Sequence, residues 1–222
     1  MQEVVIPVRV VYAKTGRARY ISHLDTMRSL TRALRRAGLP WWYTQGFNPH
    51  LYLTFPLPLA LGVESLCEIV DLRLIESVGW DILKERISGC LPPGFEIIGA
   101  GAPVLPAKAI AWAEYRLELA FPQSEREGAA SAMKALFERA SMPVRKKTKK
   151  SEQIVDIRPH AELLAVSQSE NGVCCHVRLA AGTSFNVSPK TLLEAFAAEA
   201  SLPERVKILR TRVLDEHLSD FA

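Results

Sequence analysis

The sequence contains no uninterrupted apolar run near the roughly 18 residues that span a bilayer, and its N-terminus lacks the basic-then-apolar layout of a signal peptide. A cytoplasmic protein with no membrane partner is therefore expected. Cysteine is scarce: Cys67, Cys90, Cys174 and Cys175 are the only thiols. None belongs to a C-x-x-C pair, and Cys174 and Cys175 adjoin in an apolar run where successive strand residues face opposite sides. They read as free, buried thiols rather than metal ligands, and neither a metal nor another cofactor is expected. Charge of one sign is also not in great excess, with 28 Lys and Arg against 24 Asp and Glu, a net charge of +4 and a pI of 8.9. That is mildly basic and short of the pI above about 9 that by itself marks a nucleic-acid binder. With 48% hydrophobic and 23% charged residues the composition excludes wholesale disorder.

What is present is enough chain for a proper core. The 222 residues fit one large domain or two of about a hundred each. Val4 to Tyr12 is rich in β-branched residues and reads as a strand. Ser22 and Asp25 form a helix start signal, after which Leu24, Met27, Leu30 and Leu34 recur at helical spacing until Gly38 and Pro40 stop the pattern. Strands at Tyr52 to Phe55 and Cys67 to Ile75, a helix at Trp80 to Ser88 and a strand at Phe95 to Ile98 complete a βαββαβ order. After a small-residue segment from Gly99 to Ala109, the order restarts. Tyr115 to Phe121 is a strand, Glu125 to Ala140 a helix, Gln153 to Ile157 and Val173 to Leu179 strands, Ser188 to Ala200 a helix opened by Pro189, and Val206 to Val213 a strand. The expected fold is α+β, tandem ferredoxin-like (βαββαβ) units with antiparallel sheets, divided as 1–105 and 106–222.

Polar and aromatic side chains gather between Lys14 and Asp71. The words GRARYISHLD (16–25), LTRALRRAGLP (30–40), YTQGFNPH (43–50), PLALGVES (58–65) and EIVDLRL (68–74) stand out, with KKTKKSEQIVDIRP (146–159) and the Leu209 to Leu214 tail as weaker companions. Together they closely resemble the bacterial radical-SAM-linked domain of unknown function, found alone or C-terminal to a cobalamin-binding-type radical SAM protein. The resemblance implies a radical SAM protein as partner and a connection to RNA metabolism, since such proteins often sit beside ribonuclease E/G. It implies no established activity. The C-x-x-x-C-x-x-C motif that holds a radical SAM cluster is absent, so this chain is not that enzyme by itself.

Several constellations carry possible chemistry. On the first helix Arg28, Arg32, Arg35 and Arg36 fall within about a quarter turn at 3.6 residues per turn, with no acid interleaved on that face. Such a face is either simply solvated or binds an anion, and arginine suits bidentate phosphate contact. Lys14 to Arg19 lies where the first strand hands over to that helix, so Gly16 permits a tight turn, and the N-terminus of the following helix offers free N–H groups and a positive dipole for a phosphate near Arg17 and Arg19. Ser22, His23 and Asp25 are too close in one capping turn to make a hydrolase triad; Ser22 reads as N-cap and Asp25 as its partner, leaving His23 free to face a ligand. Gln45, Phe47, Asn48 and His50 combine amide, aromatic and imidazole groups on one turn, as single-strand RNA recognition does, whereas Trp41 and Trp42 read as core residues. The run Arg145 to Lys150 is a solvated loop or a basic hairpin arm.

These residues give a ligand pocket of His23, Gln45, Phe47, Asn48 and His50, bounded by His23, Asn48 and His50 with Arg17 or Arg19 at its rim and on the side of Arg28. Phosphate or RNA contacts fall to Arg17, Arg19, Arg28, Arg32, Lys146 and Lys147. The leading expectation is a non-catalytic RNA-binding accessory module that works with a radical SAM partner. Two alternatives stand beside it. One is a metal-independent endoribonuclease using His23 or His50 with Tyr43; the other is a protein-only adaptor for the radical SAM enzyme.

Overall fold

The computed structural model describes residues 5–147, 152–182 and 185–222, with the side chains of 146, 147 and 152 also outside the description. The fold mixes α and β elements with antiparallel sheets, as expected. It divides into two compact units. The first comprises the described residues up to Ile110 together with Ser219–Ala222, and the second is Ala111–Leu218.

In the first unit, strand β1 (Ile6–Lys14) lies between β2 (Glu64–Leu74) and β3 (Phe95–Gly101), antiparallel to both. Helix α1 (His23–Arg36) and helix α2 (Trp80–Ser88) supply the rest of the regular structure. The core-facing residues alternate along the strands, Val8, Val10 and Tyr12 on β1 with Val70, Leu72 and Leu74 on β2, and they pack with Leu30 and Leu34 of α1 and Leu83 and Ile87 of α2. The buried positions of α1 are Thr26, Leu30, Ala33 and Leu34. Leu24, expected in the apolar stripe, is instead exposed, because it lies four residues before Arg28 and eight before Arg32 on the polar side of the helix.

The expected strand at Tyr52 to Phe55 does not form. The segment meets β2 through one bridge, Thr54 to Asp71, while the preceding stretch bridges Trp41 to Leu74 and Tyr43 to Leu51. Pro49 and Pro56 on either side explain this, since each removes a donor that a continuous ladder needs. Among the described residues the first unit therefore has three strands rather than four.

In the second unit the order is β4 (Trp112–Ala120), α3 (Arg126–Glu138), β5 (Pro143–Lys147), β6 (Glu152–Asp156), β7 (Ala161–Ser169), β8 (Gly172–Ala180), α4 (Pro189–Ala197) and β9 (Arg205–Leu214). The sheet runs β9-β4-β8-β7, and β5 pairs only with β6. Taken without that hairpin, the elements follow βαββαβ. The second strand of the order is β7, however, not Gln153 to Ile157. Ala-Glu-Leu-Leu-Ala at the start of β7 favours helix locally, and pairing with β8 overrides that preference. Leu117, Leu119, Met133, Cys175, Val177 and Leu192 are at most 2% exposed and form this unit's interior. On the other sheet face Glu114 pairs with Arg178 and Arg212, and Arg178 also reaches Glu162.

Gly94 is a point of close approach. Its φ is +86°, and a Cβ there would lie 2.7 Å from the Thr15 carbonyl oxygen and 2.8 Å from Ala18 Cβ. Gly94→Ala should therefore cost about 1–3 kcal/mol, a fall in melting temperature of roughly 2–4 °C per kcal/mol for a chain this long. Gly99→Ala, with open space around it, should melt within a degree or so of wild type in the same calorimetric scan. Equal melting temperatures for the two variants would contradict the close contact of the 94 turn with the segment after β1.

Candidate functional site

The site grows out of the end of β1. A bulge interrupts the β1–β2 ladder between Tyr12 and Lys14, and Lys14 then pairs with Ser65. Its side chain is almost wholly buried, and the ammonium donates to the Ile21 carbonyl at 2.8 Å. Burial lowers the Lys14 pKa below its ordinary value, while the carboxylate of Glu68, also buried and directly opposite Tyr12, acts to raise it.

Beyond Lys14 the chain turns at Gly16, φ +61°, into a short 3₁₀ helix from Gly16 to Tyr20. Gly16 N–H donates to Glu64 Oε1 at 2.7 Å, and Glu64 is itself buried. The protein's own carboxylate thus sits against this turn, and Arg19 lies 3.9 Å from it. Arg19 is further held by its donation to the Tyr20 hydroxyl at 2.6 Å, with the guanidinium 4.7 Å from the Tyr20 ring. Arg17 remains exposed.

Ser22 caps α1 as expected, accepting from Asp25 N–H at 3.2 Å and donating to Asp25 Oδ2 at 2.8 Å. These bonds, then the nearby Arg28, lower the Asp25 pKa. The arginine face of α1 is not free of acid after all. Arg28 pairs with Asp25 at 3.2 Å, because i and i+3 are neighbours on a helix. Arg36 is also committed, donating to the Cys90 carbonyl at 2.6 Å. Arg32 and Arg35 stay exposed with no hydrogen bond or ion pair among the described residues. His23 sits edge-on to Phe55, ring centroids 5.1 Å apart. No hydrogen bond or ring contact joins His23 to Gln45, Phe47, Asn48 or His50 among the described residues.

Gln45 to His50 forms the end of a closed loop. Thr44 N–H donates to the His50 carbonyl at 2.9 Å, His50 N–H donates to Thr44 Oγ1 at 3.1 Å, and Tyr43 bridges Leu51 below. His50 Nδ1 lies 3.0 Å from Thr44 Oγ1 and 3.1 Å from the Asn48 carbonyl oxygen. Since a carbonyl can only accept, an Nδ1–H shared between these two oxygens satisfies both contacts and leaves Nε2 as an exposed acceptor. Gly46 turns the loop at φ +129°, Phe47 is fully exposed, and Gln45 and Asn48 are exposed beside it.

Trp41 is buried and donates its indole N–H to the Leu34 carbonyl, a core role as expected. Trp42 is not core. It is half-buried at the loop's stem, edge-on to Tyr52 with centroids 5.9 Å apart, and the Arg73 guanidinium lies 4.1 Å from the Tyr52 ring and 5.1 Å from the Trp42 ring. Arg73, on β2, was not among the expected site residues. Its signal in the sequence was faint, because only the pairing of Trp42 with β2 brings it under the two rings. Lys146 and Lys147 lie on β5, and their side chains fall outside the described residues.

The four cysteines are free. Burial raises the Cys174 thiol and pushes Cys175 up to about 12, so both stay protonated at neutral pH. Among the described residues no cluster of three or more His, Cys, Asp or Glu could hold a metal ion, and no helix is long and apolar enough to cross a membrane.

With this geometry in hand, comparison places the chain in a family: it belongs to the uncharacterized proteins conserved in bacteria termed DUF2344, whose model matches residues 8–189. No curated protein matches the sequence. Among solved structures it is similar to a chain in the crystal structure of a Cbf5-Nop10-Gar1 complex, at 13% identity and a TM-score of 0.48, over 92% of this chain and 48% of that one. The chain thus spans about half the length of that relative.

The buried Lys14 makes a pH prediction. Its folded pKa lies below the ordinary 10.5, so between those two values the unfolded chain binds more protons, and stability should rise as pH climbs through that window. Glu68→Gln removes the charge that raises the value, so the Lys14 ammonium should titrate at still lower pH, read by NMR of the side-chain nitrogen. An unchanged titration would show that Glu68 does not act on Lys14.

Proposed function

We propose that this protein is a non-catalytic RNA-binding module and that it serves a radical SAM partner, with the Tyr43 to Leu51 loop as its recognition element. The observation that carries this reading is Phe47, a large aromatic ring fully exposed at the tip of a loop whose backbone is closed from within. Burying such a ring is worth about 1.5–3 kcal/mol to a fold, so a closed loop that holds it in solvent leaves that energy to a ligand. Every base offers a face for stacking, and the neighbours suit an unpaired base: Gln45 and Asn48 can donate and accept along its edge, and His50 Nε2 can accept. The exposed Arg17, Arg32 and Arg35 supply cationic surface in the same unit, with Arg28 partly neutralised by Asp25. Arg19 acts mainly by holding the Gly16 to Tyr20 turn.

The radical SAM association rests on the sequence words quoted above. In this reading the module presents RNA to that enzyme. His50, whose Nδ1 is spent on closing the loop, positions the loop rather than cleaving.

Base–aromatic stacking contributes about 1–3 kcal/mol per base, so Phe47→Ala should weaken binding of a single-stranded RNA roughly 5- to 150-fold. A duplex of the same sequence should bind more weakly and respond little to the substitution. Fluorescence anisotropy with labelled oligonucleotides measures both, and equal affinity of wild type and Phe47→Ala for the single strand would refute the loop's role.

A further inference from the structure

The arginines of the first unit divide into three groups. Arg9 makes a bidentate pair with Asp71 at 2.8 and 2.9 Å, Arg19 and Arg28 face carboxylates, and Arg36 and Arg86 donate to backbone carbonyls. Arg17, Arg32 and Arg35 are exposed and touch nothing that fixes them. Arg73 alone among the described arginines of this unit is both fixed and unpaired. Its guanidinium lies against the Tyr52 and Trp42 rings and makes no hydrogen bond or ion pair among the described residues. The nearest acid along its own strand face is Asp71, two residues away, and both carboxylate oxygens of Asp71 are engaged by Arg9.

A guanidinium held against two aromatic rings has fewer orientations open to it than one free in solvent, so less conformational entropy remains to be lost when an anion arrives. The planar fork of N–H donors matches two oxygens of a phosphate in bidentate fashion. The position is also telling. Trp42 N–H donates to the Arg73 carbonyl, and Tyr52 N–H donates to the Trp42 carbonyl, so the cation sits at the stem of the loop whose tip carries Phe47. Phe47 is five residues from both Trp42 and Tyr52, so at about 3.3 Å per extended residue the tip lies within roughly 16 Å of the stem, a separation that a short stretch of a nucleic-acid strand can bridge.

We propose that Arg73, held by Trp42 and Tyr52, is a phosphate-binding subsite that receives the backbone of the strand whose base stacks on Phe47. The naming of RNA as the source of the phosphate rests on the function proposed above; the anion subsite itself rests on Arg73 alone.

Two measurements separate these claims. In the first, a fluorescein-labelled oligouridylate is titrated with wild type, Arg73→Gln, Arg73→Lys and Phe47→Ala across a salt series. Arg73→Gln should bind on the order of tenfold more weakly, with a salt slope reduced by about 0.7, the value of one phosphate contact on a single strand. Phe47→Ala should lose affinity with its slope unchanged. Arg73→Lys should retain the slope and recover only part of the affinity, since an ammonium keeps the charge but not the fork. Thermal melts establish that each variant is folded, and Arg73→Lys carries the test if Arg73→Gln is not. In the second, inorganic phosphate is titrated into wild-type protein while the Arg73 Nε–H resonance is followed by NMR. RNA binding with identical affinity and slope in wild type and folded Arg73 variants overturns the subsite and leaves the RNA reading intact. A phosphate-dependent Arg73 shift in a protein that binds no RNA upholds the subsite and overturns the RNA reading. No shift and no RNA binding overturns both.

Discussion

A buried carboxylate sets the conformation of the turn that leads from β1 into α1. Glu64 is placed at the start of β2 and accepts the Gly16 N–H, at a residue whose positive φ only glycine adopts cheaply. Two backbone bonds secure the same turn from other directions, Thr15 N–H to the Gly94 carbonyl and Gly62 N–H to the Arg19 carbonyl. An ion removed from water costs several kcal/mol unless it is compensated. Compensation is near at hand: Arg19 stands beside Glu64, and Lys14 stands near Glu68. Two acids of β2 and two bases, Lys14 at the end of β1 and Arg19 in the GRARY segment, therefore lie close together around this turn. The density of charge in these words is accounted for in large part by this framework.

That accounting changes which cations are left for a ligand. Arginine side chains that close structural bonds are poor phosphate receptors, because binding would first have to break what they hold. Among the described arginines of the first unit, that leaves Arg17, Arg32 and Arg35 exposed without a hydrogen bond or ion pair, and Arg73 held against two rings. The loop above Arg73 has a related economy. Its Thr44 and His50 contacts satisfy backbone and imidazole internally, so the exposed Phe47, Gln45 and Asn48 are the groups with capacity to spare.

Much of this was legible in the sequence where the determinant is local. Ser22 and Asp25 specify a cap through their own side chains, Gly38 ends α1 with a positive φ, and Pro189 opens α4 at its first turn. Where the determinant is a distant partner, local reading failed. Gly16 was legible as a turn, but not the carboxylate it donates to, because Glu64 is 48 residues away in sequence. Leu24 fitted a helical apolar stripe but lies on the wrong side of it once β1 and β2 define the core. Ala161 to Ser169 carries helix-favouring residues and becomes a strand only by lying along β8. The fold class and most elements came through, therefore, while the site was read as a set of residue types whose commitments to one another were hidden.

Those commitments bear on how the loop can act. A flexible loop would pay its ordering entropy at the moment of binding, about 1–2 kcal/mol for each backbone residue fixed. Between Thr44 and His50 the paired contacts and the Tyr43–Leu51 bridge pay that cost during folding instead. The same contacts hold the imidazole by Nδ1, which fixes the direction of Nε2. A base stacking on Phe47 would then meet a fixed acceptor and two amides without reorganising the loop, and selectivity would follow from donor placement on the base edge rather than from total charge. Under the RNA reading proposed above, a net charge of only +4 is no obstacle to such discrimination, because specificity is a difference between ligands and the phosphate term is common to all of them.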